Sequence, residues 1–248
     1  MTGSSVFDRQ VTSYMHRQPA VARPHTPTAE IACTLEQVPT IAIVDELEHL
    51  AGVVSRTDLV ASIKQPSRVA ADIMTRGVIT VPSTATIRAT AQAMAAHAIH
   101  HIYVTDDKML LGVVGAMDIT AAVRDARISA HLSTIMTSPS IMISTKTTLG
   151  AAIELLSRVR VSGLVVVDDD LPVGTFTHVE ALAARDVPRS TTIEDVFEPA
   201  VLCLPATTPL HAAASQLVRS NTTRVLACAG REVVGVATTL DFVRYVAW

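Results

Sequence analysis

The sequence predicts an α/β (α+β) fold built from four consecutive β-α-β-β-α units, because two markers recur with one period along its 248 residues. The first marker is a short segment centred on a Met or Phe, with intervals of 59, 62 and 61 residues between Met15, Met74, Met136 and Phe197. The second is an acid that opens a final helix, with intervals of 60, 62 and 61 residues between Asp58, Asp118, Glu180 and Asp241. Two independent markers with the same period indicate an internal repeat.

The order of elements is clearest in the second unit. The run Val78–Val81 is typical of a strand, and a Pro-Ser-Thr segment ends it. Apolar residues then recur near helical spacing from Ile87 to Ile99, which predicts an amphipathic helix. Two β-branched runs follow, joined by an acidic turn, and the second leads into another helix. The first unit has 19 residues from Thr26 to Asp45, against 22 from Thr84 to Asp106, so we expect its first helix to be about one turn short.

The repeat accounts for nearly the whole chain. We assign residues 1–10 to an N-terminal tail and the four units to residues 11–64, 70–125, 132–186 and 193–248. No segment is left for a catalytic domain, and the sequence contains no GxSxG, Walker lysine loop or dinucleotide-binding glycine pattern. We therefore expect a protein that is not an enzyme.

Composition excludes several classes of function. Hydrophobic residues make up 49% of the chain and the mean hydropathy is +0.37, but no apolar run approaches the roughly 18 residues that span a membrane. A net charge of −3 and a pI near 6.3 indicate no nucleic-acid partner. The N-terminus shows no secretion signal, and the three separated cysteines are expected to be small buried residues in a reducing cytoplasm. The nine histidines form no pattern typical of a metal site, and we expect none.

Two motifs of the repeat resemble those of the CBS (cystathionine β-synthase) domain family. The second strand ends as AIVD at Ala42–Asp45, YVTD at Tyr103–Asp106 and VVVD at Val165–Asp168, where the family has a PVVD-like sequence. The family's closing segment, G-h-h-[ST]-x-[ST]-D, is matched fully by GVVSRTD at Gly52–Asp58. No unit keeps the proline of the first motif, and the fourth unit, with LACA, also lacks its acid.

The resemblance implies a Bateman-type arrangement of two pseudo-two-fold pairs, with units one and two forming one pair and units three and four the other. Clefts in such pairs often bind adenosine-containing ligands, here AMP, ADP, ATP or S-adenosylmethionine. No cofactor is required. Paired modules commonly associate again, within one chain or as a homodimer.

The first unit carries the strongest candidate site. A carboxylate can accept hydrogen bonds from both ribose hydroxyls, so the resemblance implies Asp58 as the ribose ligand, with Ser55 and Thr57 near ribose or phosphate. The strand residues expected to flank the base are Val21, Thr40 and Ile41. The alternative is that Thr57 or Asp58 only caps the following helix.

The other units are less complete. The fourth keeps Thr238 and Asp241, and Arg224 either contacts a phosphate or is an exposed surface arginine. The second keeps Asp118 but has lost both hydroxyls, although His100 and His101 precede its second strand; since adjacent strand residues face opposite sides, at most one points toward a ligand. The third has Glu180 in place of the Asp, and we expect its site to be empty or structural.

Two classes of function remain open. In the first, ligand binding changes how paired units are arranged and so how the protein associates with itself or an effector protein. In the second, the chain is a ligand-free dimerisation scaffold, or an accessory subunit of a separately encoded enzyme or transporter. The intact closing motif of the first unit favours regulation, and the losses in the second and third units favour the scaffold.

Overall fold

The computed structural model describes residues 5–62, 69–159, 161, 163–169, 171–230 and 232–248. Within these ranges the chain forms four three-stranded sheets, each with its own helices, which confirms the predicted α/β fold of four repeats. The predicted end of the first unit, at residue 64, lies outside the described residues.

The elements follow the predicted order in every repeat. The first repeat contains β1 (Val21–Ala22), α1 (Thr28–Gln37), β2 (Thr40–Val44), β3 (Leu50–Ser55) and α2 (Arg56–Ser62), with the short helix α3 (Ala70–Ile73) after it. The second contains β4 (Thr80–Val81), α4 (Ile87–His97), β5 (His101–Asp106), β6 (Met109–Gly115) and α5 (Ala116–Asp125). The third contains β7 (Met142–Ser144), α6 (Leu149–Val159), β8 (Gly163–Asp168), β9 (Leu171–Thr177) and α7 (His178–Ala183). The fourth contains β10 (Cys203–Pro205), α8 (Leu210–Ser220), β11 (Arg224–Ala229), β12 (Glu232–Thr238) and α9 (Thr239–Ala247). Short 3₁₀ turns lie at Val6–Asp8, Val11–Ser13, Leu132–Thr134 and Ile193–Asp195.

All four sheets share one topology. The first strand pairs in parallel with the second, and the second pairs antiparallel with the third. A parallel pair needs a long crossover, and the first helix of each repeat supplies it. The antiparallel hairpin then delivers the chain directly into the final helix, so the closing acid always lies at the start of that helix.

The first helix of repeat one is not a full turn short, so that expectation was wrong. Helix α1 has 10 residues, against 11 in α4, α6 and α8. The turn before the first helix has five residues in both repeats, whereas α1 and its connection to β2 are each one residue shorter than in repeat two. The shortening therefore falls on the helix and on the connection that follows it.

Helices of repeats two and four form one compact unit, within the segments Met1–Pro19, Ile79–Pro139 and Leu202–Trp248. Helix α4 packs against α9, and α5 packs against both α8 and α9. Fully buried side chains such as Met94, Leu217 and Phe242 fill this interface. Arg88 and Gln92 of α4 donate hydrogen bonds of 2.9 and 3.1 Å to carbonyls in the last turn of α9, which lack partners within their own helix.

Helices of repeats one and three form the second compact unit, within Ala20–Val78 and Ser140–Val201. Helix α7 packs against α1, α2 and α6. Leu182 of α7 lies in the core of the first repeat with Ile31 and Leu35, so the two repeats share apolar contacts. Arg56 of α2 donates a 2.7 Å hydrogen bond to the Leu35 carbonyl, and burial lowers the pKa of its guanidinium.

The marker segments exchange between consecutive repeats. Each marker makes an isolated antiparallel bridge to a third strand: His16 with Val113, Thr75 with Val53, Thr137 with Val236 and Glu198 with Thr175. The opening segment of repeat one thus lies on β6 of repeat two, and that of repeat two lies on β3 of repeat one. Repeats three and four exchange their segments in the same way. The exchange places the opening segment of each repeat on the third strand of its neighbour in the chain.

Two cysteines differ from their expected burial. Cys33 and Cys203 are exposed, and Cys228 is half-buried, whereas the sequence analysis predicts three buried cysteines. Cys33 lies on the outer face of α1, and Cys203 lies on β10, an edge strand of its sheet.

No helix in the described ranges is long and apolar enough to cross a membrane.

The acids that end the second strands have a structural role. Asp45 accepts hydrogen bonds from the Leu47 and His49 amides in its hairpin turn, both at 2.9 Å. Asp106 accepts bonds from the Ser83 amide at 3.1 Å and the Ser83 hydroxyl at 2.6 Å, which tie the end of β5 to the chain after β4. These hydrogen bonds stabilise the carboxylate form and lower the pKa of Asp106.

Ser83→Ala is expected to raise the pKa of Asp106 toward the ordinary value for an aspartate. The hydroxyl is the largest cause of the lowered pKa, and alanine removes it while keeping the amide. A lowered pKa in the folded state contributes stability above the unfolded pKa that is lost as pH falls, so the variant should lose less stability on acidification. Carboxyl-detected NMR titration measures the shift, with Asp45, whose partners are untouched, as the internal control. An unchanged pKa for Asp106 would contradict this assignment.

Candidate functional site

The four closing acids use one carboxylate oxygen in the same way. Each stands at the third position of its helix and accepts a hydrogen bond from the backbone amide three residues earlier. The distances are 2.8 Å for Ser55 to Asp58, 2.7 Å for Gly115 to Asp118, 2.6 Å for Thr177 to Glu180 and 2.8 Å for Thr238 to Asp241. This bond satisfies an amide that the helix leaves unpaired. The second oxygen of each acid is not needed for capping, so capping and ligand binding are compatible.

The Asp58 site has an outer oxygen that is only weakly engaged. The inner oxygen, Oδ2, accepts both the Ser55 amide and the Ser55 hydroxyl, the latter at 2.5 Å. The outer oxygen, Oδ1, lies 3.4 Å from the hydroxyl of Thr75, at the long limit of a hydrogen bond. Thr57 and Thr75 are both exposed. The structure therefore presents a half-buried carboxylate whose outer oxygen lies 3.4 Å from a hydroxyl of the next repeat.

The three residues expected to flank a base are placed differently from one another. Thr40 is half-buried and lies directly opposite Ser55 in the β2–β3 register. Val21 on the edge strand β1 is 55% exposed. Ile41 is completely buried and belongs to the core of the first repeat, so it does not line an accessible surface near Asp58. The assignment of Ile41 fails because neighbouring strand residues face opposite sides, and Thr40 occupies the side shared with Ser55.

Both carboxylate oxygens of Asp241 accept hydrogen bonds from side chains of the protein itself. The Thr238 hydroxyl donates to the inner oxygen at 2.8 Å, and Arg244, one turn further along α9, donates to the outer oxygen at 2.8 Å. Arg224 lies opposite Thr238 in the β11–β12 register and is only 7% exposed, so the alternative of an exposed surface arginine is wrong. A ligand that uses Asp241 must compete with Arg244.

A groove runs along the exposed face of α9 beside this acid. It has a volume of about 680 Å³, and its lining includes Arg88, Asp241, Arg244 and Trp248. Ligand pockets are typically about 300–1,000 Å³. The groove therefore has the size of a ligand pocket, and it carries two arginines to one acid.

The Asp118 site contains a histidine from another repeat. His16 Nε2 lies 2.9 Å from the outer oxygen of Asp118, and the Gly115 amide donates to the inner one. Burial raises the pKa of Asp118, although the Gly115 amide and His16 both act to lower it. The ring of His101 lies against Gly115, because a Cβ added at Gly115 would be 3.2 Å from His101 Cδ2. His100 contributes its carbonyl, which accepts the Ala116 amide at 2.8 Å. The ring of His101 thus lies beside the residue whose amide Asp118 binds.

The Glu180 site shows how a longer acid is accommodated. Glu180 still caps α7, and the Thr177 hydroxyl accepts the Val179 amide at 3.0 Å instead of bonding to the acid. Val179, in place of a hydroxyl residue, is 43% exposed. These contacts are those of a helix cap. Across the described residues, no group of three or more His, Cys, Asp or Glu side chains could hold a metal ion.

Three contributors were missed from the sequence: His16, Thr75 and Arg244. His16 and Thr75 stand at the same place in the opening segment of successive repeats, and Thr137 stands there in the third. A comparison of the repeats could therefore have drawn attention to His16, because this histidine replaces the threonine found at the same position of the second and third repeats. Their position beside the acid of a different repeat depends on the exchange of segments, which a single repeat does not indicate.

The fold and these sites define a class of protein: a tandem repeat of small α/β modules, each with a helix-capping acid, which in the first two repeats contacts the opening segment of the other. The CBS domain model matches residues 11–65, 69–125, 132–186 and 193–247, and the chain belongs to this family. No curated protein matches the sequence.

Solved structures share the whole fold. Protein MJ1225 from Methanocaldococcus jannaschii, described there as a proposed archaeal homologue of γ-AMPK, is 14% identical with a TM-score of 0.85, and the match covers 96% of this chain and 99% of that one. An uncharacterized conserved protein from Pyrococcus horikoshii is 16% identical with a TM-score of 0.71 over 96% and 100% of the two chains. The CBS domain pair of protein MJ0100, in complex with methylthioadenosine and S-adenosyl-L-methionine, is 27% identical over 46% of this chain and 94% of that one, with a TM-score of 0.44. The first two similarities establish the fold across nearly the entire chain.

Proposed function

We propose that this protein is a non-catalytic regulator that binds an adenosine-containing ligand at the Asp58 site and transmits its occupancy to the neighbouring repeat. The ligand classes are AMP, ADP, ATP and S-adenosylmethionine, which share the adenosine group. The observation that carries the proposal is that the two oxygens of the Asp58 carboxylate differ: Oδ2 accepts the bonds of the helix cap, whereas Oδ1 is held, among the described residues, by a 3.4 Å contact with Thr75.

The chemistry of ribose recognition fits this carboxylate. An ionised carboxylate accepts hydrogen bonds only, and the ribose diol supplies two donors. Such charge-assisted bonds are stronger than those between neutral groups. Thr57, exposed in the first turn of α2, and the Thr75 hydroxyl are available to the sugar or phosphate, and the amides at the start of a helix favour an anion. Thr40 and Val21 remain the candidates for contact with the base.

Transmission follows from the origin of Thr75. Its segment belongs to the second repeat but lies on β3 of the first, where it makes a reciprocal backbone bridge to Val53. A ribose hydroxyl at Asp58 Oδ1 replaces the Thr75 contact, so occupancy acts directly on the opening segment of the next repeat. A ligand shifts an arrangement only through such differential contacts. The output is a change in association, either of two copies in a homodimer or with an effector protein.

The scaffold is the second candidate function, and a specific observation favours it. The outer oxygens of Asp118 and Asp241 are both engaged at hydrogen-bond distance by the protein's own His16 and Arg244. Sites satisfied in this way stabilise the fold without a ligand. A chain in which all four acids act only as caps would be a dimerisation scaffold or the accessory subunit of a separately encoded enzyme or transporter.

Calorimetric titration of the purified, nucleotide-stripped chain distinguishes the two functions. AMP, ADP, ATP and S-adenosylmethionine are titrated separately, with GMP as the control for recognition of the base. The proposed function predicts saturable binding of at least one adenosine-containing ligand at a stoichiometry of one or more per chain. If none of them produces heat or a thermal shift, the regulator is excluded and the scaffold remains.

A further inference from the structure

The four opening segments place different side chains at one position. The residues that make the backbone bridge to the third strand are His16, Thr75, Thr137 and Glu198. In the first repeat, Thr75 reaches Asp58 with a contact of 3.4 Å. In the second, His16 reaches Asp118 with a contact of 2.9 Å. The same position in the fold therefore engages the closing acid loosely in one repeat and closely in the next.

The close contact leaves Asp118 with both oxygens engaged. Gly115 donates to Oδ2 at 2.7 Å, and His16 lies at hydrogen-bond distance from Oδ1. The side chain of Asp118 is only 18% exposed, whereas that of His16 is 69% exposed. A ligand can thus displace His16 into solvent, but it cannot use Asp118 without doing so.

Charged groups on the same elements as the His16–Asp118 contact interact with one another, and Arg9 acts on Tyr14 and Asp125 as well. On α5, Arg124 donates to Asp125 at 2.8 Å, and the Tyr14 hydroxyl donates to the same carboxylate at 2.5 Å, so these groups satisfy one another. On β5, the ring of His101 lies against Gly115 beside Asp118. His16 is the side chain in contact with the oxygen of Asp118 that a ribose would need.

We propose that His16 is a proton-controlled latch that closes the Asp118 site to the ribose of an adenosine-containing ligand at acidic pH and releases it as the pH rises. This inference rests on the proposed function, because it extends ribose recognition by the closing acid to a second repeat. An unperturbed histidine titrates near pH ~6.5. The protonated ring forms an ion pair with Asp118, and the neutral ring offers only a weaker hydrogen bond.

The direction of the pH dependence follows from linkage. The closed site carries the additional proton on His16, and a ligand that displaces the ring allows that proton to leave. Ligand binding at Asp118 therefore releases a proton, so the affinity of this site increases from pH 6 to pH 8. The Asp58 site is contacted by a threonine, so the opening segment that lies on it adds no such dependence.

A reciprocal exchange of the two residues tests the latch. His16→Thr gives repeat two the contact of repeat one, and Thr75→His does the reverse. The probe is adenosine, the part common to all the proposed ligands, and stoichiometry is measured by calorimetry at pH 6 and pH 8. At pH 6, His16→Thr is expected to bind one more adenosine per chain than wild type, and Thr75→His one fewer, with the lost site recovered at pH 8.

A ligand-independent measurement accompanies the exchange. The imidazole NMR signal of His16 is titrated in wild type and in Asp118→Asn, and loss of the carboxylate is expected to move its midpoint to lower pH. If wild type binds adenosine but His16→Thr gains no site, or if its binding weakens, the latch is wrong while the proposed function stands. If no variant binds adenosine, including wild type, both fail. An unchanged NMR midpoint in Asp118→Asn also overturns the latch, whatever the binding result.

Discussion

Asp58→Asn is expected to weaken the binding of adenosine-containing ligands by about 100-fold while changing the free energy of unfolding by less than about 1 kcal/mol. Asparagine keeps one carbonyl oxygen, which can still accept the Ser55 amide and cap α2. Its other terminal group is a donor, so it cannot accept from the ribose hydroxyls. Losing about 3 kcal/mol of charge-assisted hydrogen bonding corresponds to about a 100-fold change in Kd.

The matched control is Glu180→Gln, the same loss of charge at the corresponding position of repeat three. Glu180 caps its helix in the same way but belongs to the site expected to be structural, so nucleotide affinity should not change. Asp58→Ala separates the two roles further, because it removes the cap as well and costs about 1 kcal/mol of stability. Calorimetry gives the affinities and urea denaturation the stabilities. If Asp58→Asn binds as wild type does, Asp58 is only a helix cap.

Gly112→Ala is expected to destabilise the compact unit of repeats two and four by about 1–3 kcal/mol, the usual cost of overpacking. A Cβ at Gly112 would lie 2.5 Å from the His16 carbonyl oxygen and 2.6 Å from Met15 Cγ. The carbonyl belongs to the bridge that holds the opening segment on β6, with the Val113 amide donating to it at 3.0 Å. The backbone must therefore move, and His16 moves with it.

Gly235→Ala is the matched control in the same unit. Its nearest obstacle is the flexible thioether of Met136, with Sδ at 2.8 Å, and the nearest backbone oxygen is at 3.0 Å. Methionine adapts to small changes in its surroundings, so the loss of stability should be smaller than at Gly112. The urea midpoints of the two variants are compared with wild type. Equal losses in both variants would show that the backbone contact at Gly112 is not what requires glycine.

The repeat made the fold predictable from sequence. Two markers with one period determined the number of units, and the elements of the second unit could be read from its apolar spacing and turn residues. Distances along the chain did not show where the shortening would fall, and α1 and its connection to β2 are each shorter by one residue. Burial was less predictable still, since Cys33 and Cys203 lie on outer positions that periodicity alone did not identify.

The candidate site was predictable only in the part that lies within one repeat. Ser55, Thr57 and Asp58 are adjacent in sequence, and the structure places them together at the start of α2. Thr75 and His16 are contributed by other repeats through the exchange of opening segments, 17 and 102 residues away from the acids they contact. Ile41 was assigned to the wrong face because the sequence does not show which of two adjacent strand residues faces the core.

Comparing AMP with 2′-deoxyAMP on the wild-type chain tests most directly whether the outer oxygen of Asp58 recognises a ribose diol. Removing one hydroxyl deletes one charge-assisted hydrogen bond of about 1.5–3 kcal/mol, so 2′-deoxyAMP is predicted to bind roughly 10- to 100-fold more weakly. The Asp58→Asn variant, which no longer reads the diol, should bind both compounds equally. Saturable binding of AMP and 2′-deoxyAMP with the same Kd on the wild-type chain would contradict the claim.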